Sequence, residues 1–125
     1  MHTLLITFRL VDMTDARYRE VCAELAPAFA ELPGLLAKVW LTDVDAGYGG
    51  VYLFADEAGA DAFLASGLFR TVRTFPHFDD LDVRRFGVDE RTTRRTQPRL
   101  TVVNPAPATS PVTSQWRTTV TSAAT

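Results

Sequence analysis

The sequence has 125 residues and a mass of 13.8 kDa, the size of one domain or of one short domain with an appended segment. Its apolar fraction of 46% excludes a chain that is disordered throughout, and its net charge of −2 gives no sign of a nucleic-acid or membrane partner. The single cysteine excludes an intrachain disulfide. No apolar run approaches the roughly 18 residues that cross a bilayer, and the amino terminus lacks the basic start of a signal peptide. We therefore expect a soluble, cytoplasmic protein.

Charge and aromatic content divide the chain near residue 90. Residues 1–90 contain eight basic and fifteen acidic residues, a net charge of −7, and twelve of the thirteen aromatic residues. Residues 91–125 contain five arginines and no acid. This contrast predicts a folded domain over 1–90 and an Arg/Thr/Pro-rich carboxy-terminal tail over 91–125. Because the tail is basic and the domain acidic, we expect the tail to dock on the domain or wrap around a second subunit; disorder is the alternative.

The first third of the sequence predicts a strand followed by a helix. Apolar residues alternate over residues 4–11, which is the period of a strand. Asp12 and Thr14 are suited to cap the helix that follows, and its apolar residues recur every three or four positions. Pro27 lies inside this stretch and predicts a bend or an early end, because proline has no backbone N–H to donate.

The remainder of the domain predicts two strands, a helix and a final strand. Residues 35–43 and 51–54 have strand character, and a glycine-rich turn over residues 45–50 separates them. Residues 69–80 fit either a short helix or a long loop, and residues 81–88 fit the last strand. The order βαββαβ predicts a ferredoxin-like α+β sandwich, in which both helices cover one face of a four-stranded antiparallel sheet.

The second face of this sheet lacks a cover from the predicted helices. Apolar residues lie on both faces of the predicted strands, so the second face is expected to pack against another surface. Two such sheets packed face to face would bury it. We therefore expect a homodimer.

Four stretches of the sequence are similar to one known family. They are TLL over residues 3–5, PGLLAKVW over 33–40, GGVYLFADE over 49–57 and RFGVDE over 85–90. Over residues 1–97 the chain resembles the YdhR-like mono-oxygenases of the dimeric α+β barrel superfamily, which also contains the antibiotic-biosynthesis monooxygenases. The resemblance implies the same ferredoxin-like dimer and an enzyme that acts without metal, flavin or haem.

The resemblance also implies a pocket inside each subunit, between helices and sheet. There a cofactor-independent monooxygenase would oxidise an aromatic, polyketide-like phenol or anthrone with O₂. The protein must bind a flat ring, exclude water, and assist deprotonation or stabilise the oxyanion. Two other functions fit the same pocket. One is a cofactor-free cyclase, isomerase or decarboxylase of secondary metabolism, and the other is a non-catalytic small-ligand-binding or stress protein.

Three residues are candidates for catalysis. Trp40 could stack on the substrate and donate its indole N–H, or it could belong to the core or the dimer interface. Tyr52 could orient a substrate hydroxyl or pack with its own hydroxyl at an edge. His77 is of the residue type that most often transfers protons and could be a general base at the pocket mouth, with a solvent-exposed loop histidine as the alternative.

Six further residues are candidate substrate ligands, all of them aromatic rings or cations. They are Lys38, Phe54, Phe8, Arg9, Phe63 and Tyr48. Lys38, the only lysine of the chain, could stabilise an enolate if it is desolvated. Arg9 could do the same or form a salt bridge at the rim. Cys22 is expected to be a small buried hydrophobe rather than a nucleophile. No nucleotide, phosphate or metal motif is present, so we expect no metal and no cofactor.

Overall fold

The computed structural model describes residues 1–96, which form four strands and four helices. In chain order these are β1 His2–Leu10, α1 Asp15–Ala30, β2 Leu35–Asp43, β3 Gly47–Phe54, α2 Glu57–Leu64, α3 Gly67–Thr74, β4 Phe78–Gly87 and α4 Glu90–Thr96. The chain divides into two units, Met1–Gly87 and a second that begins at Val88. Of the predicted tail, α4 is described and residues 97–125 lie outside the described residues, so its docking stays a prediction. Among residues 1–96, no helix is long and apolar enough to span a membrane.

The sheet has the strand order β2-β3-β1-β4, and every neighbouring pair is antiparallel. This order confirms the ferredoxin-like prediction. On the face covered by the helices, the central strands carry the most deeply buried side chains, because both of their edges are paired. Leu4 and Ile6 of β1 are 0% and 1% exposed, and they lie opposite Tyr52 and Gly50 of β3. The core therefore lies between this face and the helices.

Helix α1 begins as the sequence predicts but does not end early. Thr14 is the N-cap, and its Oγ1 accepts a hydrogen bond from the backbone N–H of Arg17 at 3.1 Å. Asp12 instead takes a left-handed conformation with φ 53° in the connection, so its predicted capping role is wrong. The helix also continues past Pro27. Proline donates no backbone hydrogen bond, so one carbonyl of the preceding helical turn has no partner in the helix. Because Pro27 is exposed, water can donate to that carbonyl. The buried ring of Phe29 packs the last turn of the helix against the sheet.

The predicted glycine-rich turn over residues 45–50 is largely strand. Strand β3 already begins at Gly47, and Asp43 closes the shorter turn by accepting two successive backbone N–H groups at 2.9 Å. Gly49 has φ +137°, and a Cβ added there would overlap the carbonyl oxygen of Ile6. Glycine therefore allows the backbone of β3 to approach β1 at this point.

Residues 69–80, which fit either a helix or a loop, contain most of α3 and the start of β4. Ser66 caps α3, accepting a hydrogen bond from the backbone N–H of Phe69 at 3.2 Å. Phe69 and Val72 are buried against the core. The last strand begins at Phe78, three residues before the predicted start. An additional short helix thus joins α1 and α2 on the covered face.

The opposite face of the sheet stays apolar and accessible within the unit Met1–Gly87. Val39 and Phe86 are 45% and 42% exposed on this face, and Leu5, Val51 and Leu53 are half-buried. These side chains belong to all four strands, so the apolar surface crosses the whole sheet.

Candidate active site

A small cavity lies between the covered face of the sheet and α1. Its volume is about 20 Å³, room for about one water molecule. One lysine, Lys38, and six aromatic residues line its walls. The aromatic residues are Phe8, Tyr18, Phe29, Trp40, Tyr52 and Phe78. Four residues proposed from the sequence therefore meet here: Phe8, Lys38, Trp40 and Tyr52. A flat aromatic ligand is larger than this space, so the cavity described by residues 1–96 does not hold one in this conformation.

The side chain of Lys38 is enclosed by aromatic rings. It is 8% exposed, and its Nζ lies 3.3 Å from the ring centroids of Phe29 and Trp40 and 4.6 Å from that of Tyr52. No carboxylate and no hydrogen-bond acceptor contacts this amine among residues 1–96. Ring faces attract an ammonium ion, but loss of hydration opposes the charge more strongly. Burial therefore lowers the pKa of Lys38 well below its usual range, with a smaller opposing effect from Cys22.

Gly50 makes room for this lysine. It lies opposite Trp40 on β2, and Lys38 lies opposite Tyr52. A Cβ added at Gly50 would stand 2.9 Å from Lys38 Cε and 3.3 Å from Tyr52 Cε1. The missing side chain therefore opens the sheet surface on which the lysine stem lies. The sequence analysis placed this glycine in a turn. Had it been assigned to the strand, its position two residues before Tyr52 would have shown that it lies on the same face as that ring.

Two hydrogen-bond donors in the cavity wall have no partner among residues 1–96. They are the hydroxyl of Tyr52, whose side chain is 3% exposed, and the indole N–H of half-buried Trp40. Burial raises the pKa of Tyr52, so its hydroxyl keeps its proton at neutral pH. Because buried polar groups are normally paired, the hydroxyl of Tyr52 marks this wall as a place where a polar ligand atom can bind, and the half-buried indole of Trp40 offers a second donor.

Tyr18 and Cys22 complete the wall on α1, and sequence reasoning assigned neither to the site. The pKa of Tyr18 is raised, mainly by burial and secondly by the neighbouring Cys22. Burial also raises the pKa of Cys22 against the opposing hydrogen bond from Tyr18. The thiol is half-buried and stays protonated, which agrees with the prediction of a small hydrophobe. Both residues lie on the apolar stripe of α1, a pattern that does not separate a cavity wall from ordinary core.

His77 lies outside the cavity wall. Its Nδ1 is 2.7 Å from the carbonyl oxygen of Val11, whose backbone N–H donates to the carbonyl of His77 at 2.9 Å. The imidazole packs against Phe75, with ring centroids 5.4 Å apart. His77 thus lies in the connection from α3 to β4, where it is hydrogen-bonded to Val11, the residue that follows β1. Its role as a base at the pocket mouth stays a prediction.

The remaining candidates lie around the cavity. Phe54 and Phe63 are buried core rings that pack on Tyr52, at centroid distances of 6.3 and 5.1 Å. Arg9 pairs with Asp79 at 3.5 Å in the exposed salt bridge that was one of its two interpretations. Such an exposed pair contributes little stability. None of the three lines the cavity.

Tyr48 belongs to a separate cleft, of about 500 Å³, at the end of the sheet. Its hydroxyl donates to Asp15 Oδ1 at 3.0 Å, and Arg19 Nε donates to Asp15 Oδ2 at 2.7 Å. Both hydrogen bonds lower the pKa of Asp15, and the one from Arg19 has the larger effect. Tyr48 also packs edge-on against Tyr18, with centroids 4.8 Å apart, so the two tyrosines stand between this cleft and the cavity. Among residues 1–96, no three His, Cys, Asp or Glu side chains are grouped to hold a metal ion.

Comparison with known proteins places this chain in a family of mono-oxygenases. The sequence model of the family described as "Putative mono-oxygenase ydhR" matches residues 3–98. No curated protein matches the sequence. Among solved structures, a "putative antibiotic biosynthesis monooxygenase" from Deinococcus radiodurans superposes with a TM-score of 0.58 at 16% identity, covering 70% of this chain and 92% of that one.

Two further solved structures share the fold. SnoaB, a cofactor-independent oxygenase from Streptomyces nogalater, has a TM-score of 0.57 at 20% identity and covers 70% of this chain and 92% of its own. A variant of MhuD with two manganese protoporphyrin IX molecules bound per active site has a TM-score of 0.58 at 17% identity, covering 71% and 95%. At these identities the likeness establishes the fold.

Proposed function

Because this chain belongs to the ydhR family of mono-oxygenases, we propose that it oxidises a small phenol- or anthrone-type substrate with O₂ and without a cofactor. The observation that supports this proposal is the ring-walled cavity, whose wall combines the buried amine of Lys38 with Tyr52 and Trp40, two residues whose donors have no partner among residues 1–96. Each buried donor without a partner costs roughly 1–3 kcal/mol. A substrate oxygen that accepts these hydrogen bonds offsets that cost.

The proposed reaction needs little from the protein beyond binding and charge stabilisation. An anthrone-type CH₂ group loses one proton to a base, and the resulting carbanion passes one electron to O₂. Recombination of the two radicals and a proton forms a hydroperoxide, which loses water and leaves a carbonyl. One CH₂ and one O₂ thus become one C=O and one H₂O, so no external reductant is required. The hydroxyl of Tyr52 and the indole N–H of Trp40 would hold the substrate oxyanion.

Substrate access requires movement of the wall, since the enclosed space holds about one water molecule. Trp40 is the natural mobile part. It is half-buried and lies on β2, an edge strand of the sheet. When its ring shifts outward, a flat substrate can enter beside Phe29 and Lys38, with the indole at its edge. This geometry favours planar substrates.

Oxygen uptake by the purified protein tests the proposal. The chelator-treated protein is incubated with a series of anthrones and phenols under ¹⁸O₂. We expect one O₂ consumed per product and one ¹⁸O in the new carbonyl, with a lower rate for Trp40→Phe, which keeps a ring and loses the N–H. Product formation without O₂ uptake would instead support the cyclase, isomerase or decarboxylase, and ligand binding without turnover would support the non-catalytic binding protein.

We also propose that a second copy of the chain covers the open face of the sheet, forming the dimeric barrel. The apolar side chains on that face, among them Val39 and Phe86, support this assembly. Val39→Asp should give monomers in sedimentation velocity. Val44→Asp is the matched control, because Val44 is 78% exposed and lies in the turn after β2. A monomeric wild-type protein, or an equal effect of both substitutions, would contradict the proposed interface.

A further inference from the structure

We propose that the side-chain amine of Lys38 is the general base of this site, and that the substrate is an enolisable ketone or a phenol whose anion is delocalised onto an oxygen that accepts hydrogen bonds. This inference rests on the proposed function and names its proton acceptor and substrate class. It starts from the geometry of the cavity, where Lys38 contributes the only basic side chain of the wall.

A general base must be unprotonated before the reaction, and the surroundings of Lys38 favour that state. The amine is buried, and no carboxylate contacts it among residues 1–96. The titratable groups that share its cavity are Cys22 and Tyr18 from α1 and Tyr52 from β3. Burial raises the pKa of all three, so they remain neutral acids and supply no negative charge that would hold an ammonium ion. The pKa of Lys38 itself is lowered by the same loss of hydration.

The same rings would stabilise the products of proton transfer. The proton moves from a substrate C–H or O–H to Nζ, and the electron pair stays on the substrate, delocalised onto its oxygen. The new ammonium can stay on the ring of Phe29, whose centroid lies 3.3 Å from Nζ in the substrate-free structure, a distance at which ring faces attract a cation. The oxyanion can accept hydrogen bonds from Tyr52 and Trp40. The transfer thus creates a paired cation and anion in a water-poor cavity, each with its own stabilising groups.

These groups also define the substrate. Rings on both sides of the amine require a flat molecule, and two donors require an oxygen acceptor. A base in the same small cavity as those donors requires an acidic hydrogen on the same flat molecule, conjugated with that oxygen. Anthrones, phenols and 1,3-dicarbonyl compounds meet all three conditions. Aliphatic alcohols and amines do not, because they lack the delocalised anion.

Deuterium exchange without oxygen tests the base separately from the oxidation. The full-length protein is mixed with anthrone, or with a cyclic 1,3-dicarbonyl compound, in anaerobic D₂O, and loss of the acidic C–H signal is followed by NMR. We expect the wild-type protein to accelerate exchange above the buffer rate. Lys38→Met should lose at least about 100-fold of that acceleration. Lys38→Arg should lose as much, since a guanidinium keeps the charge but stays protonated. Arg70→Met, which removes an exposed cation of α3 outside the cavity wall, should stay within about twofold of wild type.

The outcomes separate this inference from the proposed function. Exchange that needs Lys38, without O₂ uptake in air, would support the base and refute the oxygenase. O₂ uptake that survives in both folded Lys38 variants would overturn the base and leave the oxygenase standing. Loss of exchange in Arg70→Met would also overturn it, as would a wild-type protein that accelerates exchange of neither probe. Circular dichroism shows whether each variant is folded.

Discussion

Replacing Lys38 by Met should change how folding stability depends on pH. Lys38 is 8% exposed, and desolvation in its ring-walled cavity lowers its pKa well below the usual range. In the unfolded chain the amine returns to about 10.4. Between these two pKa values the unfolded state binds one proton that the folded state lacks, so the free energy of unfolding rises as pH rises. One such proton corresponds to about 1.4 kcal/mol per pH unit.

The methionine variant removes the titrating amine without leaving a cavity in the core. Methionine is unbranched and similar in length to lysine, and swaps of this kind in a core usually cost less than about 1.5 kcal/mol. The stability difference between variant and wild type should therefore change by about 1.4 kcal/mol for each pH unit within that interval. The variant is favoured increasingly towards the acidic side. Cys22, Tyr18 and Tyr52 titrate in both proteins, so their contributions largely cancel in the difference.

Chemical denaturation followed by circular dichroism, from about pH 6 to about pH 10, measures this difference. Protein concentration is held constant, because a dimer makes stability concentration-dependent. Arg70→Met, which removes an exposed cation from α3, should keep the wild-type slope. Parallel curves for Lys38→Met and wild type would show that the folded protein holds Lys38 as an ammonium ion. That result would also refute its role as a base.

Three other predictions concern the scaffold and the edge of the site. Gly49→Ala should destabilise the protein in thermal unfolding by on the order of 3 kcal/mol, because the new methyl meets the backbone of Ile6. Gly50→Ala should cost less but reduce O₂ uptake, because its nearest contact is the side chain of Lys38 at 2.9 Å, with Tyr52 at 3.3 Å. Equal Tm losses would contradict this. Thr14→Ala removes the cap bond to Arg17 and should cost about 1 kcal/mol, so an unchanged Tm would argue against that cap. Asp15 has a pKa lowered first by Arg19 and then by Tyr48, so its stabilising effect is present above the unfolded pKa and is lost as pH falls through the folded one. Asp15→Asn should therefore make acid unfolding less steep, and identical acid transitions would show that these bonds do not stabilise the fold.

Local patterns in the sequence were sufficient for the order of elements and for part of the site. Strand alternation over residues 4–11 and the Thr14 cap depend on neighbouring residues only. Lys38 and Trp40 are two residues apart on a strand, so they had to share a face. The family resemblance reached the same architecture. The start of β3 was missed because glycines suit a turn and a close strand approach equally well.

Tertiary structure decided which neighbours surround these side chains. Phe29 lies on α1, and only the packing of that helix onto the sheet brings its ring to 3.3 Å from Lys38 Nζ. The same packing excludes water and acids from the amine, so it determines the direction of the pKa shift. His77 was a reasonable base by residue type. In the folded chain, the start of β4 lies beside the end of β1, and this pairing brings the imidazole of His77 to the carbonyl oxygen of Val11. The sequence by itself determined the periodicities and the residue types available. Burial, and with it chemical reactivity, depends on contacts between segments far apart in the chain, which no local pattern encodes.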